Sequence, residues 1–297
     1  MTSIVQLLRP LSLALLSGVL GAPLLAATGS GASTASAPVS RVIAPSAGYI
    51  FPNVEYIYSV QWGLFRAGTS TVKLVRSGAG VRVTATADSA GMPDKFFKVH
   101  DQFNADVNPR TFCTALITKH NEEGPRRRDI TIVLDYAHAK SKADFKDLKT
   151  SEIKHTEADI PNCVTDVISG FFYVASLPLA PGYSETFPVN DNGRMTNARF
   201  EVEGREHIKV SAGEFETLRV KVEPIAGAMK GKGTLWVWFT NDARHIPVQM
   251  KSKLGFATFT FQMQKINVAG PSRATAPTRS PSSPILPAPA STPTARK

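Results

Sequence analysis

A mainly β fold, either a large curved antiparallel meander sheet or an open barrel with one short amphipathic helix across it, is predicted by three observations. Block after block of the chain has strand length and alternates apolar with polar residues, with Gly, Pro, Asn or Asp between blocks. The connections are short, which pairs sequence neighbours antiparallel. A single segment, Asp166 to Ser176, carries helical periodicity instead. No internal repeat of fixed period is present, which disfavours a propeller or solenoid.

Taken in order, residues 1–27 open with a short n-region holding only Arg9. An apolar run follows from Leu11 to Leu25, broken by Gly18, Gly21 and Pro23 and ending in Ala26-Ala27, the composition of a signal peptide. A transmembrane anchor is the alternative, for which the run is short and broken. No Cys lies near the cleavage zone, so a lipid-anchored N-terminus is not expected, and cleavage near Thr28 leaves no stable transmembrane segment. The expected location is periplasmic or secreted. Residues 28–47, small and polar, read as a flexible lead-in, and 269–297, rich in Pro, Ser, Thr and Ala, as a disordered tail. Between them 48–268 is expected to form a single β-rich domain, since no linker-like composition interrupts it.

Within that domain Tyr56, Tyr58, Val60 and Trp62 share one face of a first strand, and Gly68 lets the next one bend. After the turn at Ser77 to Gly80, Val81, Val83, Ala85 and Ala87 alternate with polar residues. The meander continues through Phe97, Val99 and Phe103, then Phe112 to Thr118, then Ile130, Ile132 and Leu134. In the helical segment Val167, Ile168, Phe171, Phe172 and Ala175 recur on one side, Thr165 or Asp166 can cap its start, and Pro178 stops it. Gly170 weakens this helix by up to about 1 kcal/mol, so packing must hold it. Strands resume at Glu185–Val189, Met195–Val202, Glu206–Val210, Phe215–Val222, Pro247–Lys253 and Ala257–Ile266. The run Lys232 to Thr240 places Trp236 and Trp238 on one face and Leu235, Val237 and Phe239 on the other. Such a strand is apolar on both faces, so it should be central, with protein or a ligand on each side.

Known catalytic signatures are missing: there is no Gly-x-Ser-x-Gly elbow, His-Glu-x-x-His, Walker loop or dinucleotide fingerprint. Ser70 and Lys73 have Ser-x-x-Lys spacing, but on a strand they face opposite ways. The histidines are dispersed, without a second ligand at metal spacing, and no metal or cofactor is expected. Asp191 falls in a tight-turn composition, Pro188 to Gly193. Cys113 and Cys163, in a chain with an export leader, are expected to form one disulfide, with free buried thiols as the alternative. The net charge of +10 suits an anionic partner or simply solubility, and the cluster Arg126-Arg127-Arg128 beside Gly124-Pro125 reads as a solvated loop.

An ordered series of motifs carries a resemblance. Tyr58 to Gly68, Asp166 to Tyr173 with Leu177-Pro178-Leu179, Gly182-Tyr183, Phe187-Pro188-Val189, Gly204-Arg205-Glu206, Ala212 to Phe215 with Thr217, Gly233 to Trp238, and Arg244 with Pro247-Val248 together resemble the exported bacterial family of domain of unknown function 3108. The match spans most of residues 55–266. The resemblance implies a secreted or periplasmic β-rich domain and brings no assigned activity. The functional expectation is therefore a non-catalytic cell-envelope binding protein sheltering an apolar, lipid-like ligand in its curved sheet, with Tyr58, Trp62, Phe171, Trp236 and Trp238 as ligand-binding candidates. The alternatives are an interaction module for an anionic envelope glycan, lipid or protein, and, ranked last, an unrecognised hydrolase. Nucleic acid is not expected as a partner.

Overall fold

The computed structural model describes residues 49–226, 230–231, 233–254 and 257–268. The leader, lead-in and tail expected at 1–27, 28–47 and 269–297 lie outside these residues. The described chain forms one sheet of 15 strands. They are β1 (Val54–Trp62), β2 (Phe65–Ser77), β3 (Gly80–Ser89), β4 (Val99–Val107), β5 (Thr114–Glu123), β6 (Arg126–Asp135), β7 (Lys140–Asp147) and β8 (Ile153–Asp159) in the first half. The second half adds β9 (Thr165–Asp166), β10 (Ser184–Asp191), β11 (Arg194–Val210), β12 (Gly213–Pro224), β13 (Gly233–Thr240), β14 (Pro247–Leu254) and β15 (Ala257–Val268). Two short helices interrupt it, α1 (Met92–Phe96) and α2 (Ser169–Ala175).

Each strand pairs antiparallel with its sequence neighbour, as short turns require, except that β9 runs parallel to β10, β8 and β9 do not pair, and β1 also pairs with β15. The order from edge to edge is therefore β8 back to β1, then β15 back to β9. The sheet curls until its far parts meet: Asn190 donates through Nδ2 to Ser141 Oγ at 3.1 Å, and the Thr114 amide donates to the Val164 carbonyl at 2.9 Å. Gly68 marks one point of bending. It lies opposite a register shift in β1, and a Cβ there would stand 2.0 Å from the Asp88 carbonyl oxygen, so no larger residue fits.

The interior is filled by inward residues of every long strand and by α2. The helix is present but shorter than Asp166–Ser176, and it is not amphipathic: all seven of its residues are buried. Its ends explain how so short a helix survives inside. The Asp166 carboxylate accepts the Ile168 and Ser169 amides at 2.9 and 2.8 Å, and its other oxygen accepts the Thr114 hydroxyl at 2.7 Å. At the far end the His245 ring donates from Nδ1 to the Ala175 carbonyl at 2.7 Å. Aromatic rings wedge the helix between the two halves of the sheet, with Phe172 on Tyr56 at 6.4 Å and Tyr173 on Phe187 at 5.0 Å between centroids. Cys113 and Cys163 are bonded, with Cα atoms 5.0 Å apart, tying the start of β5 to the chain entering α2.

Further expectations need correction, among them the loop at Arg126-Arg127-Arg128, which instead opens the strand β6. Met195–Val202 and Glu206–Val210 are one strand, β11, because Gly204 is accommodated by a bulge after Val202 rather than by a turn. The helix α1 and the strands β7 and β8 were not anticipated; β8 is almost wholly exposed and so carries no apolar alternation.

Candidate functional site

Where the first strands face α2 and the strands β14 and β15, a cavity of about 70 Å³ remains. Its apolar wall comes from Tyr58, Phe171, Phe172, Met250 and Phe261, and its polar end from Asp101, Lys119 and Asn121. The polar end exists because inward positions along β5 run Ile117, Lys119, Asn121, Glu123, so that one face of one strand changes from aliphatic to charged.

Lys119 is half-buried there. Its ammonium donates to Asn192 Oδ1 at 2.8 Å and stands 5.5 Å from the centre of the Phe103 ring. Burial pushes its pKa down, and the attraction of Asp191, Asp166, Asp101 and Glu123 opposes that shift. Asp101 accepts the Glu122 amide at 3.1 Å. Tyr58, fully buried, donates its hydroxyl to the Pro247 carbonyl at 2.8 Å, and burial holds the phenol well above its ordinary value. Ser70 donates to the Thr86 carbonyl at 2.8 Å, while Lys73 is exposed on the other face of β2, so the two do not meet. The arrangement offers an apolar surface and hydrogen-bonding groups. Among the described residues no cluster of His, Cys, Asp or Glu could hold a metal ion.

The family model described as "Protein of unknown function (DUF3108)" matches residues 57–264, well over half of the chain. The chain belongs to this family. No curated protein matches it. Among solved structures, a β-barrel-like protein of domain of unknown function DUF1849 from Brucella abortus superposes with a TM-score of 0.54 at 9% identity, over 74% of this chain and 99% of that one. At that identity the likeness is one of fold. A Bacteroides fragilis protein described as exported, with a YmcC-like fold, gives 0.29 at 11% identity over 73% of this chain and 96% of its own. A Parabacteroides distasonis protein described as a lipoprotein gives 0.28 at 8% identity over 78% and 100%.

In this DUF3108 chain the candidate residues divide. Tyr58 and Phe171 meet at the cavity. Trp62 does not line it; it ends β1, exposed on one side and stacked on Phe259 at 6.3 Å. Trp236 and Trp238 lie on the outer face of β13, whose inner face is Leu235, Val237 and Phe239. Trp238 is buried there, opposite Arg219 and Gln249, and its indole N–H donates to Glu206 Oε2 at 2.8 Å. Trp236 is flanked by Lys221 and Lys251 on the neighbouring strands. The polar residues of the cavity, Asp101, Lys119 and Asn121, went unnoticed in the sequence. The apolar alternation of β5 stops at Thr118 although the strand runs on to Glu123, so its charged inner face resembles a turn.

The histidines found dispersed in the sequence are engaged one by one, four on strands and His138 in the β6–β7 turn. His100 pairs with Asp88, His120 with Asp129 at 2.7 Å, His138 with Asp135 at 2.8 Å, His155 with Asp144 at 2.7 Å and His207 with Glu216 at 2.8 Å. Asn192 and Gly193 form the turn between β10 and β11 with φ of 52° and 73°, the conformation that an Asn-Gly hairpin favours. Of the Pro188 to Gly193 stretch only Asn192-Gly193 turn, Pro188 to Asp191 being the end of β10, and the turn points inward, where Asn192 meets Lys119.

Proposed function

We propose that this chain is a non-catalytic binding protein of the cell envelope, exported by the leader at 1–27 and folded as a single domain over 48–268, whose cavity takes a small apolar ligand or the apolar end of a larger one. The supporting observation is the cavity itself, where Tyr58, Phe171, Met250 and Phe261 present apolar surface beside hydrogen-bonding groups. Size limits the occupant. A cavity of about 70 Å³ is less than half of the roughly 150 Å³ that takes up benzene, so a whole acyl chain enters only if α2 yields. Charge limits it further: the Lys119 ammonium is already attracted by Asp191, Asp166, Asp101 and Glu123, which leaves no spare cation for an anionic head group. The disulfide between Cys113 and Cys163 suits the oxidising compartment that export implies.

A second reading is favoured by a different observation. Trp236 on the outer face stands between Lys221 and Lys251, and a ring between two cations suits a sugar bearing negative charge. Native mass spectrometry on protein purified from the export compartment, with binding of a fluorescent fatty-acid probe, tests the cavity reading. A bound species is expected, and Ala85→Leu, which adds bulk to the cavity wall, should abolish probe binding. Undiminished binding by that variant sinks the cavity as the site. No bound species and no probe binding by the unaltered protein would favour the glycan reading, for which retention on an anionic polysaccharide should be lost in Trp236→Ala.

A further inference from the structure

The end of the barrel at which β1 gives way to β2 carries a feature that the cavity does not account for. Three connections are knitted together there. The Ala90 amide donates to the Ala67 carbonyl at 2.8 Å, placing the entrance to α1 beside the start of β2. The Gly124 amide donates to the Lys98 carbonyl at 2.7 Å, and the Phe97 ring lies over Gly124, joining the β5–β6 turn to the exit of α1. From this rim large apolar side chains project into solvent: Leu64 is 99% exposed, Phe96 83%, Met92 62% and Phe65 61%. Such exposure is unremarkable for one residue and uncommon for a group on adjoining turns. Met92 and Phe96 are four apart on α1 and so share a side of it.

The same rim is basic. Arg66, Lys95, Lys98 and Arg126 are exposed, and among the described residues none of them is ion-paired, whereas Arg82, Lys140, Lys209 and Arg219 elsewhere on the surface each face a carboxylate. The nearby acids are engaged: Asp94 accepts the Ser89 hydroxyl, and Glu122 is bound by Arg127. Protruding apolar tips ringed by unmatched cations are what a bilayer interface with anionic head groups accepts, the tips entering the acyl boundary and the cations meeting phosphate. A second copy of the chain is a poorer fit, since a two-fold contact would set Arg66, Lys95 and Lys98 against themselves.

We propose that this rim, Leu64 of the β1–β2 turn and Phe65 at the start of β2 with Met92 and Phe96 of α1, docks the protein on the surface of an anionic phospholipid membrane through Arg66, Lys95, Lys98 and Arg126. The docking does not depend on whether the cavity is occupied.

The test is co-sedimentation of the processed protein with vesicles of phosphatidylcholine and phosphatidylglycerol, against vesicles of phosphatidylcholine alone. Binding to the anionic vesicles is expected, weakening with added salt. The double variant Leu64→Ser, Phe96→Ser should bind about tenfold more weakly or worse, with an unchanged urea midpoint and unchanged fatty-acid probe binding. Leu64→Cys, labelled with an environment-sensitive dye while Cys113 and Cys163 remain bonded, should shift to the blue on the anionic vesicles. Equal binding by the double variant, or no dye shift on vesicles, overturns the proposal. A dye shift that follows protein concentration without vesicles also overturns it and assigns the rim to self-association.

Discussion

Trp238 illustrates how a side chain on the outer face of its strand can still join the buried apolar cluster. Its ring is covered on the outer face of β13, and its N–H is satisfied by Glu206, which Arg219 also contacts at 3.3 Å. Removing the ring in Trp238→Ala should cost about 3 kcal/mol, at the lower end of the range for large-to-small changes because the outer face can partly refill with water. Trp238→Phe keeps most of the packing and gives up the hydrogen bond, so about 1 kcal/mol is expected. Trp236→Ala, at a half-buried site, should cost less than Trp238→Ala. Urea midpoints of the variants check this order. Probe binding should survive all of these changes, since neither tryptophan lines the cavity; its loss in Trp238→Ala with folding intact would contradict the placement of the ring. Asp166 works at the same scale. The sequence left Thr165 or Asp166 as the cap of α2; the N-cap position falls instead on Ile168, and the Asp166 carboxylate two residues ahead takes the Ile168 and Ser169 amides with one oxygen and the Thr114 hydroxyl with the other.

At the scale of elements, legibility followed how polar each strand's inner face is. β1 and β15 put Tyr56, Tyr58 and Val60 against Ile266, Met263 and Phe261, so alternation announced them and their inward faces. β13 was found as a strand, but with apolar side chains on both faces its pattern could not say which one met the core. The outer half of β5 was missed for the opposite reason, Lys119, Asn121 and Glu123 pointing where apolar residues were sought. Cross-strand pairs on the outer faces carry a pH signature. The hydrogen bond to Asp129 holds His120 above the ordinary histidine value of 6.5, and Glu216 does the same for His207. A raised folded-state pKa contributes stability that is fully present below 6.5 and is lost as pH rises through the raised value. Glu122, held low by Arg127 and His120, has the opposite sign, its contribution being lost as pH falls below 4.5. Urea midpoints followed with pH should therefore decline modestly on the alkaline side of 6.5, and His120→Gln should flatten part of that decline. An unchanged slope in the variant would show that the β5–β6 pair contributes nothing measurable, as exposed pairs sometimes do.

For the whole molecule the decisive matter is how the curl is held, because the edge strands β8 and β9 do not pair with each other. The β10–β11 turn acts as a peg against the opposite wall: Asn190 reaches Ser141, Asn192 receives Lys119, and Gly193 lies directly on Ala143. A Cβ on Gly193 would stand 2.6 Å from the Ala143 Cβ, and the residue has φ of 73°. Gly193→Ala meets both obstacles and should cost about 2–3 kcal/mol, with faster amide exchange in β7 and β10 as the walls part. Exchange confined to the turn itself would mean that the curl is held elsewhere.

The seam between β1 and β15 joins the two parts of the sheet that lie farthest apart in sequence, Val54 facing Val268 across it. Every other antiparallel ladder can zip from a turn that is already made, whereas this one must wait for the final strand to be delivered. Until then β1 offers a bare edge of unpaired amides and carbonyls in the middle of the future sheet, the place where a neighbouring chain could add itself. The twelve residues of β15 thus act as the chain's own occupant of that edge, and the time before they arrive is the interval in which the edge is open to another chain.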